Sequence, residues 1–290
     1  MLILQLLLNG LQTGMLYALT AAGFSLIFGM TRIFHAAHGA TFVIAAYAYW
    51  HITSLAGLPW WVAALGATMA AVIFGAGLYL TVYRRIQRSE ASFFTVFIAA
   101  FGAVVVVQNV ISMIYGRGFV SSSTPLSRAK ELIPGLYVAP LIWVSVAVAA
   151  VFFGAMALLL KRTRLGVAMR ALADNPELVR VYGLDPGRIS LMVFVIGSIL
   201  VVPAAIIQVI ATGANPAVGH HIVMISLAAS IVGGIGSLSG AAIAGILIGV
   251  AETLALLVVG SQWTEAVSFL ILFVFIIVRP AGIFGRAHAH

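Results

Sequence analysis

The feature that most limits the fold of this chain is a series of long apolar runs with almost no charged residues. A helix that crosses the hydrocarbon core of a bilayer needs about 20 mostly apolar residues, and its backbone groups must bond within the segment. We therefore predict an all-α, polytopic membrane protein with eight or nine transmembrane or partly spanning helices. The runs lie at about 2–30, 39–56, 59–83, 91–115, 137–160, 189–211, 221–235, 238–258 and 263–279.

Composition excludes a soluble domain. Only 8% of the residues are charged and 63% are hydrophobic, whereas about 25% are charged in an ordinary soluble domain. The chain has no cysteine, which removes disulfides, thiolate metal sites and thiol nucleophiles. We interpret the first run as a retained membrane helix rather than a cleaved signal peptide, and residues 1–290 as one membrane domain.

The basic residues indicate how the chain is oriented. Twelve of the fifteen Lys and Arg residues fall in alternate loops between the runs. The positive-inside rule places those loops in the cytoplasm, with the N-terminus outside and the C-terminus inside. The formal charge of +8 is therefore an orientation signal, and nucleic-acid binding is not indicated, because it would need a basic face on a soluble domain.

The cytoplasmic loop at about 161–188 holds nine of the 22 charged residues and is punctuated like folded structure. It predicts a short amphipathic helix at about 176–182. Asp174 or Asn175 can cap this helix, and Pro176 suits its first position. Gly183 can take the left-handed conformation that ends it. The loop is either a solvated connector or a rigid element through which a partner moves the membrane helices.

The stretch at 32–39, Arg-Ile-Phe-His-Ala-Ala-His-Gly, places ionisable groups in an apolar region. Such groups usually face protein or a water-filled cavity. Gly39 permits a break in the helix near residues 30–40, and broken helices at membrane depth commonly line a solute path. Three interpretations stay open for His35 and His38: a path-lining or gating role, a structural break, and a weak metal site.

A glycine-rich stretch at 231–249 lacks the Lys-Ser or Lys-Thr of a phosphate-binding loop, so this chain is not expected to bind ATP. Small residues spaced by about four instead let membrane helices pack closely. We predict this role for Gly236, Gly240, Gly245 and Gly249.

Other polar residues within the runs are expected mainly to be helix–helix hydrogen-bond anchors. No nucleophile–base or metal constellation is visible, so we predict neither a catalytic residue nor a metal site. His220 and His221 could frame an external mouth. The anchors are Asn9, Gln12, Thr13, Gln108, Asn109, Gln208, Glu252 and Glu265.

Several blocks of the sequence resemble the permease subunits of ABC importers for branched-chain amino acids and related solutes. They occur in order along essentially the whole chain. The blocks are Asn9–Leu19, Ala37–Gly39, Thr163–Ala171 through Gly183, Phe194–Ser198, Asn215–Pro216, Gly233–Ser237, Gly249–Glu252 and Arg279–Gly285.

This resemblance implies a multi-pass protein of the bacterial inner membrane, with its N-terminus in the periplasm. Its partners would be a second permease subunit (homologous or identical), two cytoplasmic ATPase subunits that bind ATP and Mg, and a periplasmic solute-binding protein. The chain itself would be a transport subunit, not an enzyme, and would bind no cofactor.

The resemblance implies an ATPase-coupling role for the block at 163–183 and an interruption of the first long segment near residues 37–39 at the translocation path. With the polar residues of the runs, this gives two predicted sets. The ATPase-coupling set is Gly166, Arg170, Ala171, Asn175, Pro176, Glu177 and Gly183. The substrate-pathway set, which includes polar residues of the runs, is His35, His38, Gly39, Asn9, Gln12 and Gln108.

One difference from the family pattern concerns the solute. Members that carry amino acids commonly show Asn-Phe-Ala-His-Gly-Glu, whereas this chain has His-Ala-Ala-His-Gly-Ala at 35–40. We expect the solute to be a branched-chain amino acid or a related small organic molecule such as a carboxylate, an aromatic acid or an amide. The alternative class is an ion-coupled secondary transporter, which the scarcity of intramembrane acids disfavours.

Overall fold

The structure is a computed structural model that describes residues 1–88, 92–279 and 281–284. These residues form twelve α-helices and one small hairpin. The helices are α1 Leu2–Thr31, α2 His38–Trp50, α3 Trp60–Leu78, α4 Arg84–Arg88, α5 Phe93–Tyr115, α6 Leu141–Arg162, α7 Arg164–Asp174, α8 Pro176–Val181, α9 Pro186–Ala211, α10 Val218–Gly233, α11 Leu238–Ala255 and α12 Thr264–Val278.

Shorter elements complete the described chain. A π-helical turn at His51–Leu55 continues α2, and a second at Tyr79–Tyr83 joins α3 to α4. Strand β1 (Lys130–Ile133) pairs antiparallel with β2 (Leu136–Val138). This hairpin lies in the connection between α5 and α6 and was not predicted.

Seven helical segments among the described residues are long and apolar enough to cross a membrane, and α10 is a shorter apolar helix. Each of the nine predicted runs contains one of the helices α1, α2, α3, α5, α6, α9, α10, α11 and α12. The prediction of a polytopic, all-α membrane protein is confirmed. The reason is physical, because lipid offers no partner to a backbone group that a helix leaves unbonded.

The predicted break near residues 30–40 is present, and Gly39, the residue expected to permit it, lies just after it. Helix α1 ends at Thr31, Arg32 takes a left-handed conformation with φ 56°, and α2 begins at His38. The ring of His38 bonds to the carbonyl of Thr20, which lies roughly 16 Å along α1 from its end. The chain after Arg32 therefore folds back alongside α1 before α2 begins.

Gly39 lies in the first turn of α2, where it allows close packing against α10. A Cβ at this position would overlap the carbonyl oxygen of Gly219, and a Cβ on Gly219 would lie 2.9 Å from the carbonyl oxygen of Gly39. Helices α2 and α10 therefore begin side by side in backbone contact. Helix α10 has 16 residues and is about 24 Å long, too short to cross a hydrocarbon core of about 30 Å.

Helix α1 is the centre of the packing and contacts α6, α7, α9, α10 and α11. In an apolar 18-residue stretch of each helix, 72% of the residues are buried in α1 and in α9. The corresponding values are 22% in α5 and 6% in the segment 261–278. Because exposed apolar surface is stable in lipid, the outer faces of α3, α5, α6 and α12 are the lipid-facing or subunit-facing surface.

Close contact between α1 and α11 depends on glycine. A Cβ on Gly249 would overlap backbone atoms of Gly14, and one on Gly245 would approach the backbone of Ala18. Gly240 packs in the same way against the carbonyl group of Gly233. Gly236 lies in the turn between α10 and α11 with φ 82°, and a Cβ on Gly29 of α1 would lie 2.5 Å from its Cα.

We predict that Gly249→Ala lowers the melting temperature of the purified protein. The added methyl group would meet the α1 backbone, and overpacking of this kind costs about 1–3 kcal/mol. The matched control is Gly154→Ala on α6, where a Cβ meets nothing within 4 Å, so the better helix propensity of alanine should leave stability unchanged or higher. Equal melting temperatures for the two variants would contradict the packing described.

Candidate functional site

The two histidines of the break are fully buried and anchored to different helices. His35 Nδ1 lies 2.9 Å from the hydroxyl of Tyr83 and shares a hydrogen bond with it. His38 Nε2 donates to the carbonyl of Thr20 at 2.9 Å. The two imidazole centroids are 5.8 Å apart, and His35 also packs against Phe194 at 5.0 Å. The break is therefore fastened to α1, to the end of α3 and to α9.

Each histidine keeps one nitrogen without a partner. Because a carbonyl only accepts, the His38 proton must be on Nε2, which leaves Nδ1 as a bare acceptor. Among the described residues His38 Nδ1 and His35 Nε2 make no hydrogen bond. Neither ring reaches solvent in this conformation, so a role in lining or gating the path stays a prediction. Within the described ranges, no group of three His, Cys, Asp or Glu residues is placed to hold a metal.

The other predicted pathway residues lie apart from the histidines. Asn9 is exposed near the start of α1, where it accepts from Gln5 Nε2 at 3.4 Å. Gln12 is half-buried and lies about 12 Å along α1 from the Thr20 carbonyl that His38 binds. Their place on the solute path stays a prediction.

Gln108 belongs to a polar cleft of about 270 Å³ between the end of α5 and the start of α10. His220 Nε2 lies 2.5 Å from Gln108 Oε1 and donates to it. The ring of His220 also packs 5.7 Å from Phe101 on α5. The residues that line the cleft are Gln108, Asn109, Ser112, Arg117, Asn215, Pro216 and Ala217.

A carboxylate joins three helices on the other side of the bundle. Glu252 of α11 is only 7% exposed. It accepts from the Tyr17 hydroxyl of α1 at 2.7 Å and from the Ser268 hydroxyl of α12. His221 lies near this group, 5.9 Å from Tyr17 by ring centroids and 3.7 Å from Glu265 Oε1. Sequence reasoning named Glu252 as a helix–helix anchor, which its bonds confirm, but no motif identified the partners.

The segment 163–185 carries the predicted coupling residues on two short helices. Thr163 is both the end cap of α6 and the start cap of α7, where its hydroxyl accepts from Gly166 N at 3.0 Å. Asn175, not Asp174, caps α8 and accepts from the amides of residues 177 and 178. Gly183 follows α8 with φ 77°. Helix α7 was not predicted, although its capping threonine and apolar spacing were visible in the sequence.

The two faces of α7 and α8 differ sharply. Met169, Leu172 and Val179 are buried and belong to the apolar cluster around the end of α1 and the start of α9. The opposite face bears the exposed apolar side chains Val181 and Tyr182, which are 80% and 81% exposed. Gly166 is buried at the α6–α7 junction. The other predicted coupling residues, Arg170, Ala171, Asn175, Pro176, Glu177 and Gly183, are exposed.

The multi-pass helical fold, the exposed segment α7–α8 and the buried break are those of a membrane transport permease. The family described as "Branched-chain amino acid transport system / permease component" matches residues 6–278. The chain belongs to this family.

Related proteins match over nearly full length. The chain is 32% identical to the high-affinity branched-chain amino acid permease BraD of Pseudomonas aeruginosa, covering 98% of this chain and 96% of BraD. It is 28% identical to LivH of Escherichia coli with the same two coverages. The solved structure of PsaBC from Streptococcus pneumoniae in complex with Fab is similar in fold, with a TM-score of 0.55, 11% identity, and coverage of 95% of this chain and 92% of that one.

We predict that Glu252→Leu destabilises the protein more than Glu252→Gln. Leucine leaves the buried hydroxyls of Tyr17 and Ser268 without an acceptor, at about 1–3 kcal/mol, whereas the glutamine amide oxygen still accepts. Thermal unfolding in detergent measures the difference. Glu265→Gln is the control, because this side chain is 62% exposed and such pairs contribute about 0–1 kcal/mol. Identical unfolding of the leucine and glutamine variants would refute the proposed anchoring.

Proposed function

We propose that this chain is the permease subunit of an ATP-driven ABC importer. It receives a branched-chain amino acid, or a related small organic acid or amide, from a periplasmic binding protein and releases it into the cytoplasm. It works beside a second permease subunit, homologous or identical, and two cytoplasmic ATPase subunits that bind ATP and Mg. It lies in a bacterial inner membrane with its N-terminus in the periplasm and its C-terminus in the cytoplasm.

The observation that carries this proposal is the two-faced segment α7–α8. Its buried face packs on α1 and α9, and its exposed outer face carries apolar side chains among charged ones. A groove of about 370 Å³ lies on the outer face and is mostly apolar, with Val167, Leu178 and Leu184 in its lining beside Arg164 and Asp174. Apolar surface at the cytoplasmic end of a membrane protein favours a docked soluble partner, and the ATPase is the partner the family supplies.

The packing supports a route for the coupling movement. Helix α7 contacts α1 and α9, and these two helices hold the histidines of the break through Thr20 and Phe194. A displacement of α7 by the ATPases would therefore shift the helices that enclose the break. Irregular backbone enclosed by protein at membrane depth is where transporters commonly bind or gate a solute.

The solute class follows from the relatives and from one buried position. BraD and LivH are described as branched-chain amino acid permeases, which favours an amino acid or a similarly small acid. Ala40 takes the place where amino-acid carriers of the family commonly have Glu, and it is 1% exposed among Ala37 and Val104. No carboxylate is therefore offered to a solute ammonium group at this position.

We predict that Gly183→Val abolishes ATP-driven uptake while the permease still inserts. A Cβ at this position meets nothing within 4 Å, so the damage comes from the left-handed backbone alone, about 1–2 kcal/mol. The measurement is leucine or organic-acid uptake by proteoliposomes containing the permease pair, the ATPases and the binding protein. ATPase recovery with the permease is measured in parallel.

Gly183→Asn is the matched control, because asparagine tolerates the left-handed region. It should keep most of the uptake and of the recovered ATPase. Full uptake by Gly183→Val would refute the coupling role. Uptake by this chain alone, driven by an ion gradient without ATP, would instead support a secondary transporter.

A further inference from the structure

We infer that the cleft between α5 and α10 is a subsite for the carboxylate of the incoming solute. This inference rests on the proposed import function and names the chemical group that the permease itself recognises. The cleft lies next to the break, because Gly219, two residues after the lining residue Ala217, packs against Gly39.

The position of the cleft suits first contact with a solute. It lies where α5 ends at Tyr115 and where the chain returns from α9 to start α10 at Val218. By the positive-inside rule both points face the periplasm. Its volume of about 270 Å³ is slightly below the about 300 Å³ at which pockets for drug-sized ligands begin, so it fits a small solute.

The cleft offers a cation without a counterion. Arg117 is the charged residue of the lining, and none of the seven lining residues is acidic. Within the described parts of the chain, Arg117 makes no ion pair. A guanidinium group matches a carboxylate with two parallel hydrogen bonds, a geometry that a neutral amide cannot use with the same strength.

One further donor and a helix dipole lie at the same cleft. His220 occupies Gln108 Oε1, so the Gln108 amide nitrogen is left as a donor with no bond to a described residue. Helix α10 starts at the cleft, and Ala217 gives it no side-chain cap. The amides of Val218 and His220 already donate to Asn215 O and Ala217 O, so the start of α10 favours an anion through the positive end of its dipole.

The lining also explains why a solute could leave the cleft again. Asn109 and Ser112 are already engaged, because Asn109 Nδ2 donates to Val105 O at 2.8 Å and the Ser112 hydroxyl donates to Gln108 O at 2.7 Å. They present acceptor oxygens to the cleft, and the cleft is open to solvent. An acidic side chain of a docked binding protein could use the same donors, so the test must separate the two sources.

A single thiol placed in the cleft reports occupancy directly. The chain has no cysteine, so Ser112→Cys creates its one reactive thiol. The variant, assembled with its partner subunits in proteoliposomes, is labelled with a membrane-impermeant maleimide, and the permease band is quantified. Phe119→Cys, on an outer residue that is 77% exposed and outside the cleft lining, is the reporter control.

The ligands are acid and amide pairs: leucine with leucinamide, and benzoate with benzamide. We expect an acid, at about twice its Kd, to slow labelling at residue 112 about threefold, because protection follows 1 + [L]/Kd. The amides should not slow it, and labelling at residue 119 should not change. Adding Arg117→Gln should remove the protection. Arg128→Gln should keep it, since this exposed arginine of the same outer connection is not in the lining.

Three results would overturn the inference: equal protection by acids and amides, protection that survives Arg117→Gln, or protection by the solute-free binding protein alone. Labelling needs neither ATP nor uptake. A wild-type complex that imports solute without acid protection therefore refutes the subsite alone, whereas acid protection without ATP-driven uptake refutes the proposed function alone.

Discussion

The structure depends on how closely backbones approach each other around α1. Lipid neither bonds to free backbone groups nor drives apolar helices together, so association relies on tight packing and buried polar links. Gly14 meets Gly249, Gly23 meets Gly197, and Gly39 meets Gly219. The first two contacts allow α11 and α9 to pack on α1, and the third joins α2 to α10. They also enclose the irregular stretch after Arg32, which could not exist facing hydrocarbon.

Buried polar groups then fix the bundle at two depths. His35 and His38 fasten the break to Tyr83 and Thr20. Glu252 connects α1, α11 and α12 through hydroxyl groups. Unmet polar groups cost most in a low-dielectric interior, so these links specify which helix faces meet. Most of the helix contacts are apolar, and these few buried hydrogen bonds determine which helices pair.

The sequence could predict the helices because backbone groups in lipid must be hydrogen-bonded within their own segment. It could predict a capped helix after residue 174 because capping depends only on neighbouring residues. It could not choose between Asp174 and Asn175, since either oxygen can reach the same amides. It predicted a break near residues 30–40, but it could not identify Arg32 as the left-handed residue that ends α1, because this conformation is uncommon for a residue other than glycine. The links of Glu252 were beyond prediction because Tyr17 is 235 residues away in the chain.

The junction at Thr163 has a consequence for the geometry of coupling. One residue ends α6 and begins α7, so the two helices are joined without an intervening loop. Inserting a single residue would turn α7 by about 100° about its axis and point Met169 and Leu172 at water. The rotation of α7 about its axis is therefore fixed by the number of residues between it and α6. An insertion or deletion at this junction would misdirect the buried face of α7, even where a substitution would not.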